Sequence, residues 1–236
     1  MKQVLALAYK DWRLSVDTPV VYVAAAAFML VSGFVFGSGL FLGGQAELRT
    51  FLGWLPLLWM FFLPALAMRA LAEERRQGTF EVLATLPVGS GQIVAGKFMA
   101  IMWQVLLLLL LTLAYPLSLA VLASIDAGQA LAAFTGALLL GASYAALCLF
   151  ASSLTANAVV AYIIGFSLIL SFVLLDKGAR LMSPDIQTWL QVLSPSQHYE
   201  SMLRGVLTPE DVVFFLCFSM VFLMASNYQL ERRRWI

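Results

Sequence analysis

"AGQALAAFTGALLLGASYAALCLFASSLTANAVVAYIIGFSLILSFVLL", residues 127–175, contains no Asp, Glu, Lys or Arg. A helix needs about 20 apolar residues to cross about 30 Å of hydrocarbon. The stretch is long enough for two crossings, and its middle, "SSLTAN" (Ser152 to Asn157), suits a tight polar hairpin between them. Charge-free runs also cover 18–46, 50–68, 98–125 and 212–230, each long enough for one crossing. Together they predict six spans, near 19–42, 51–70, 99–123, 130–152, 157–175 and 211–229, in one membrane domain over residues 1–236. The runs are far longer than the strands of a membrane barrel and lack period-2 alternation. The expected fold class is an all-α integral membrane protein.

Composition points the same way. The 236 residues are 62% hydrophobic and 11% charged, with a mean hydropathy of +0.90. A soluble domain averages about 25% charged residues, and so few charges could not cover so much apolar surface in water. With six spans both termini share a side. That side collects ten of the Lys and Arg residues, from Lys2 to Arg234, against four (Arg49, Lys177, Arg180, Arg204) on the other. The positive-inside rule then puts both termini in the cytoplasm. Cys148 and Cys217 both fall within spans and read as small free hydrophobes. No internal repeat or second domain is visible.

Three segments lie outside the spans. The first, residues 1–18, is moderately amphipathic. Val4, Leu5, Ala8, Tyr9, Trp12 and Val16 share one face, with Gln3, Lys10, Arg13 and Asp17 opposite, while Leu7 and Leu14 break the pattern. Such a helix lies on the membrane surface, with Trp12 and Arg13 as interfacial anchors. The second, residues 71–98, holds the densest charge in the chain, Glu73-Glu74-Arg75-Arg76. Gly78 can end the helix leaving span two, and Thr79 can cap a short helix "FEVLATL" with Glu81 in its first turn. Pro87 ends it. Phe80, Val82, Leu83 and Leu86 make this helix apolar outside the membrane, so it needs a cover: the protein itself, the lipid interface or a partner's groove.

Within this segment Gly91-x4-Gly96-Lys97 imitates a phosphate-binding loop. A working loop needs Ser or Thr after the Lys to hold Mg²⁺, a buried strand before the glycines, and a soluble α/β domain around them. Here Phe98 follows Lys97 and a helical stretch precedes Pro87. The match reads as chance, with Gly96 permitting close packing and Lys97 anchoring at the interface.

The stretch "EERRQGTFEVLATLPVGSGQIVAGKFMA" resembles the first cytoplasmic loop of ABC-2 type transporter permeases, through Glu74, Gly78, Thr79, Glu81, Leu83, Pro87 and Gly96-Lys97. "DTPVVYVAAAAFMLVSGFVF" (17–36) and "LSPSQHYESMLRGVLTPEDVVFF" (193–215) resemble the first span, and the segment before the last span, of the subgroup associated with bacterial gliding motility. The resemblance implies the ABC-2, type V exporter-like fold: six spans, an N-terminal interfacial helix, a coupling helix between spans two and three, and short re-entrant helices before span six. It implies a non-catalytic permease subunit in the bacterial inner membrane. The expected partners are a cytoplasmic ABC ATPase dimer and a second permease chain, the same or homologous. A subunit with a large periplasmic domain would suit the subgroup, and no nucleic acid is expected. No cofactor is expected on this chain; ATP and Mg²⁺ would sit on the ATPase. Gly78, Thr79, Phe80, Glu81, Leu83, Leu86 and Pro87 would form the ATPase-coupling element, with Glu81 making a polar contact and the apolar residues packing.

The third segment, residues 176–210, lies outside, divided by Pro184, Pro195 and Pro209. His198 is the only histidine, and Glu200 and Arg204 stand one helical turn apart. A lone His with no nearby Cys is a poor metal site, so His198, Glu200 and Arg204 are expected to form a local network at the outer mouth. No charge falls mid-span, which argues against an ion-coupled carrier and suits apolar or amphiphilic cargo. The alternative is a membrane scaffold or assembly factor whose apolar loop helix docks some other cytoplasmic protein.

Overall fold

The computed structural model describes residues 2–42, 48–78, 89–122, 126–179 and 192–234, and every regular element among them is a helix. The helices are α1 (Lys2–Asp17), α2 (Pro19–Leu42), α3 (Leu48–Gly53), α4 (Leu55–Ala67), α5 (Arg69–Arg76), α6 (Ser90–Thr112), α7 (Ala114–Leu122), α8 (Ala127–Leu154), α9 (Ala158–Ala179), α10 (Pro195–Leu203) and α11 (Pro209–Arg234). Six stretches among the described residues are long and apolar enough to cross a membrane: Pro19–Gly39, Leu55–Arg76, Ser90–Ala120, Ala127–Leu154, Ala158–Leu175 and Pro209–Arg232. Two of them contain a break. α4 and α5 form one span interrupted at Met68, and α6 and α7 form another, interrupted at Leu113 just before Pro116. The helix entering span three is continuous with it from Ser90.

α8 is the axis of the bundle. Of its most apolar stretch 72% is buried in protein, against 17% for α2 and for α9. α4, α6, α9 and α11 all pack on it, as do α3, α5 and α10. Small residues make this possible. Ala133, Ala137, Gly141 and Ala145 recur every fourth position, which lines one helical face with nearly bare backbone. In lipid, where apolar burial gives little drive between helices, such faces gain close van der Waals contact instead. A Cβ at Gly141 would stand 2.9 Å from Val105 Cγ1, and one at Gly136 only 2.8 Å from Met202. The Trp59 indole, fully buried, donates to the Ala137 carbonyl at 3.3 Å.

Breaks in a span free backbone groups that lipid cannot satisfy. The structure fills one such place, at Met68 in span two, and a second just ahead of that span where α3 meets α4, from neighbouring helices. Pro56 lacks the N–H that would bond the Leu52 carbonyl; the Tyr199 hydroxyl of α10 donates to that oxygen at 2.9 Å. Burial pushes the Tyr199 pKa up, so the hydroxyl keeps the proton it donates. At the Met68 break, Ser152 Oγ of α8 accepts from the N–H groups of Leu71 and Ala72, both at 3.1 Å, and donates to the Met68 carbonyl at 3.0 Å. The polar hairpin runs over Thr155–Asn157, where Asn157 Oδ1 accepts from Val159 N at 2.9 Å and so caps α9.

Candidate functional site

The first candidate lies at the end of the bundle that carries both termini. α1 packs along α6 with the stripe Val4, Leu7, Ala8, Asp11 and Ser15 facing inward, while Leu5, Tyr9 and Leu14 stay exposed. The inner stripe is rotated from the apolar face expected from sequence. Leu7, which breaks that face, is the residue that fits onto Gly96: a Cβ there would lie 3.0 Å from the Leu7 side chain. This close approach carries Lys97 under α1. Lys97 is therefore no exposed anchor; its side chain is 4% exposed and its ammonium donates to Glu74 Oε1 at 2.7 Å and to Asp11 Oδ2 at 3.2 Å. Lys10, half exposed, adds its charge at 3.5 Å from Asp11 and 3.9 Å from Glu74. Two cations thus face two carboxylates. Burying charge is costly unless it is paired, and removing one partner of a buried pair costs about 3–5 kcal/mol. One turn or two further on, Gln104 donates to Ser15 Oγ at 2.9 Å, and Trp12 meets Trp103 edge-on at 6.1 Å. Arg13 is exposed.

Beside these contacts α1, α5 and α6 leave a cleft of about 350 Å³ whose polar wall includes Ser15, Arg69, Glu73, Lys97 and Gln104. The cleft adjoins both stems of the 79–88 segment. On the α5 side, Gly78 takes the left-handed conformation, φ +71°, that ends the helix. Arg76 and Gln77 both donate to Glu73 Oε1, at 2.6 and 2.8 Å. Arg75 Nη1 donates to the Ser153 carbonyl at 2.5 Å, where a cation suits the C-terminus of α8. On the α6 side, Gln92 closes a capping contact with Gly89 N at 3.2 Å, and Ser90 Oγ donates to Glu231 of α11 at 2.7 Å. Thr79, Phe80, Glu81, Leu83, Leu86 and Pro87 lie outside the described residues; Gly78 stands at the edge of that segment.

The second candidate is at the opposite end. His198 does not join Glu200 and Arg204. Its Nδ1 lies 2.6 Å from Asp211 Oδ1, its Nε2 lies 3.1 Å from the Val192 carbonyl, and its ring stacks on Phe214 with centroids 4.0 Å apart. Ser201 Oγ donates to the other oxygen of Asp211, and Asp211 N donates to Thr208 Oγ1 at 3.3 Å. The physical reason is the fold of α10 against α11, which places Asp211 in front of the inner side of α10. Glu200 and Arg204 form a separate exposed pair at 4.0 Å on its outer side. Among the described residues no three His, Cys, Asp or Glu side chains come together as a metal set.

Comparison with known families matches residues 17–228 to the family described as ABC-2 family transporter protein. The chain belongs to the ABC-2 family of transporter proteins. A comparison with curated proteins finds no match. As an ABC-2 chain it is a multi-pass membrane protein and a permease subunit of an ABC transporter, the kind of chain that works with an ABC ATPase. The chain between Gly78 and Gly89 joins spans two and three at the end that carries both termini; the helices flanking it are tied by Glu74 and Arg75 on one side and by Ser90 and Lys97 on the other. Sequence reasoning missed Asp11, Ser152, Tyr199, Gln104 and Asp211. Asp11 had a signal, since 4, 7, 8, 11 and 15 follow helical spacing. Ser152, Tyr199 and Gln104 meet partners far along the chain, and Asp211 meets His198 only once α10 folds against α11.

Proposed function

We propose that this chain is the membrane half of an ATP-driven exporter of the gliding-motility-like subgroup. It sits in the bacterial inner membrane with both termini in the cytoplasm. Two permease chains, identical or homologous, pair with two ATPase chains that carry the ATP and Mg²⁺. The 79–88 segment seats in a groove of the ATPase, with Glu81 making the polar contact and Phe80, Leu83 and Leu86 packing. Hydrolysis then drives export of, or outward work on, an apolar or amphiphilic substrate. The break in span two is filled by Ser152 from another helix, which suits a pathway built to bend.

The observation that carries this reading is the match of residues 17–228 to the ABC-2 family on a chain with six membrane-length helices. Mild-detergent purification of the chain from its native membrane, followed by mass spectrometry, tests it. An ATPase with a true phosphate-binding loop should co-purify, and Glu81→Arg should release it while the chain still inserts. A folded chain that brings down no ATPase would turn the reading to a scaffold that docks another cytoplasmic protein through the same loop.

A further inference from the structure

The cleft between α1, α5 and α6 stands where the spans leave the membrane. Thr18, which lines it, immediately precedes the first span, and Arg69 is the first charge after the charge-free run 50–68. Its volume of about 350 Å³ suits a small ligand, for which sites of about 300–1,000 Å³ are usual. Three groups on its wall have bonding capacity that the protein does not use. Gln104 is 4% exposed; its Nε2 donates to Ser15 Oγ at 2.9 Å, while its Oε1 is buried and has no donor among the described residues. A buried acceptor without a donor is costly, and native proteins keep few of them. Arg69 is exposed and makes no ion pair or hydrogen bond among the described residues. Glu73 takes both Arg76 and Gln77 on Oε1, which leaves its second oxygen open. Lys97, by contrast, is already held by Asp11 and Glu74.

We propose that this cleft binds a phosphate ester that carries a primary ammonium, the headgroup chemistry of phosphatidylethanolamine. The Arg69 guanidinium takes the phosphate, since its planar fork matches two phosphate oxygens at once. The ammonium has three N–H donors and supplies Gln104 Oε1 and the open oxygen of Glu73. One free cation beside two free acceptors makes a receptor for a zwitterion. A simple anion would leave Gln104 Oε1 unmet and stand against Glu73. A simple cation would stand against Arg69. A trimethylammonium has no N–H to give, so a choline headgroup fits worse. The tails of a lipid have a path out: Leu14, 56% exposed, and Leu66 flank the cleft on the side of the spans. The site then serves the leaflet on the side of both termini. It needs the six membrane-length helices but no ATPase, so it stands or falls apart from the permease reading.

The test uses the full chain, purified in detergent. Native mass spectrometry measures its affinity for added phosphatidylethanolamine, phosphatidylcholine and phosphatidylglycerol, with soluble O-phosphoethanolamine as competitor. Phosphatidylethanolamine should bind about tenfold more tightly than either of the others, the worth of one charge-assisted hydrogen bond. Arg69→Gln should weaken it about tenfold. Glu73→Gln should narrow the gap between phosphatidylethanolamine and phosphatidylcholine, and Gln104→Met added to it should close the gap. Arg69 and Glu73 both reach water, so their single variants decide the matter where the Gln104 variant folds poorly. Displacement of the lipid by O-phosphoethanolamine supports the site and marks a soluble ligand of the same chemistry; retention of the lipid against it supports the site with the membrane as source. Equal binding of the three lipids overturns the proposal, as does a phosphatidylethanolamine affinity that Arg69→Gln leaves unchanged or a gap that Glu73→Gln leaves unchanged. Binding of none of these probes makes water the partner of Gln104 Oε1 and overturns it as well.

Discussion

Ser152 bonds three backbone groups of a different helix, and no hydrophobic residue could replace it. Ser152→Ala should remove the hydroxyl partner of the Leu71 and Ala72 N–H groups and of the Met68 carbonyl at the break. Each buried unmet group costs about 1–3 kcal/mol; the expected result is a clear fall in the unfolding midpoint in detergent, and an unchanged midpoint would show that the break is satisfied in another way. Asp211 holds His198 and Ser201 together in the same manner at the other end. Asp211→Asn keeps its shape but loses the charge-assisted part, worth about twice a neutral hydrogen bond. Faster proteolysis between α10 and α11 is the expected readout, with Arg204→Gln as the silent comparison because its pair with Glu200 is exposed and worth little. None of these partnerships was legible from sequence. Ser152 read only as part of a polar hairpin, and His198 was matched to its neighbours in the chain because spacing along one helix is all that a sequence offers. Asp211 is a neighbour only after α10 folds back on α11.

At the scale of the helix, packing follows which residues are small as much as which are apolar. Gly136→Leu on α8 should force Met202 and with it α10 away, since even a Cβ there meets Met202 at 2.8 Å. Overpacking of this kind costs about 1–3 kcal/mol. Gly37→Leu on α2 has nothing within 4 Å and should be tolerated. Comparing the detergent-solubilised yield and melting of the two variants checks both expectations, and equal behaviour would remove α8 from its place as the packing axis. α1 illustrates the same point from the other side. Its composition reads as a surface helix with one apolar face. It has two, because Leu5 and Tyr9 face outward while Val4, Leu7 and Ala8 face α6. A hydrophobic-face argument counts apolar residues without distinguishing protein from lipid as their destination.

For the molecule as a whole, the six membrane-length helices alternate in direction, so the Thr155–Asn157 hairpin lies at the end with both termini, and the link between α10 and α11 at the other. The orientation expected from Lys and Arg makes the first end cytoplasmic. In a chain free of other thiols, Ala156→Cys should resist a membrane-impermeant maleimide in intact cells, and Leu207→Cys, exposed in the α10–α11 link, should react. The reverse pattern would invert the topology and move the 79–88 segment out of reach of any cytoplasmic ATPase.

Sequence by itself determined that this chain has six stretches long and apolar enough to cross a membrane, where the hairpin between the fourth and fifth falls, that Gly78 ends the helix leaving the second, and which family the loop resembles. These are properties of local composition: a charge-free run of sufficient length must leave water, and a glycine accepts a left-handed backbone at little cost. Only the tertiary structure decided that Lys97 is buried between Asp11 and Glu74, that Ser152 repairs the break in span two and Tyr199 the junction ahead of it, and that His198 belongs with Asp211. Those are pairings between residues far apart in sequence or on different helices. They arise because buried charges and freed backbone groups must find partners wherever the fold brings them, and in a bundle the nearest partner stands on another helix.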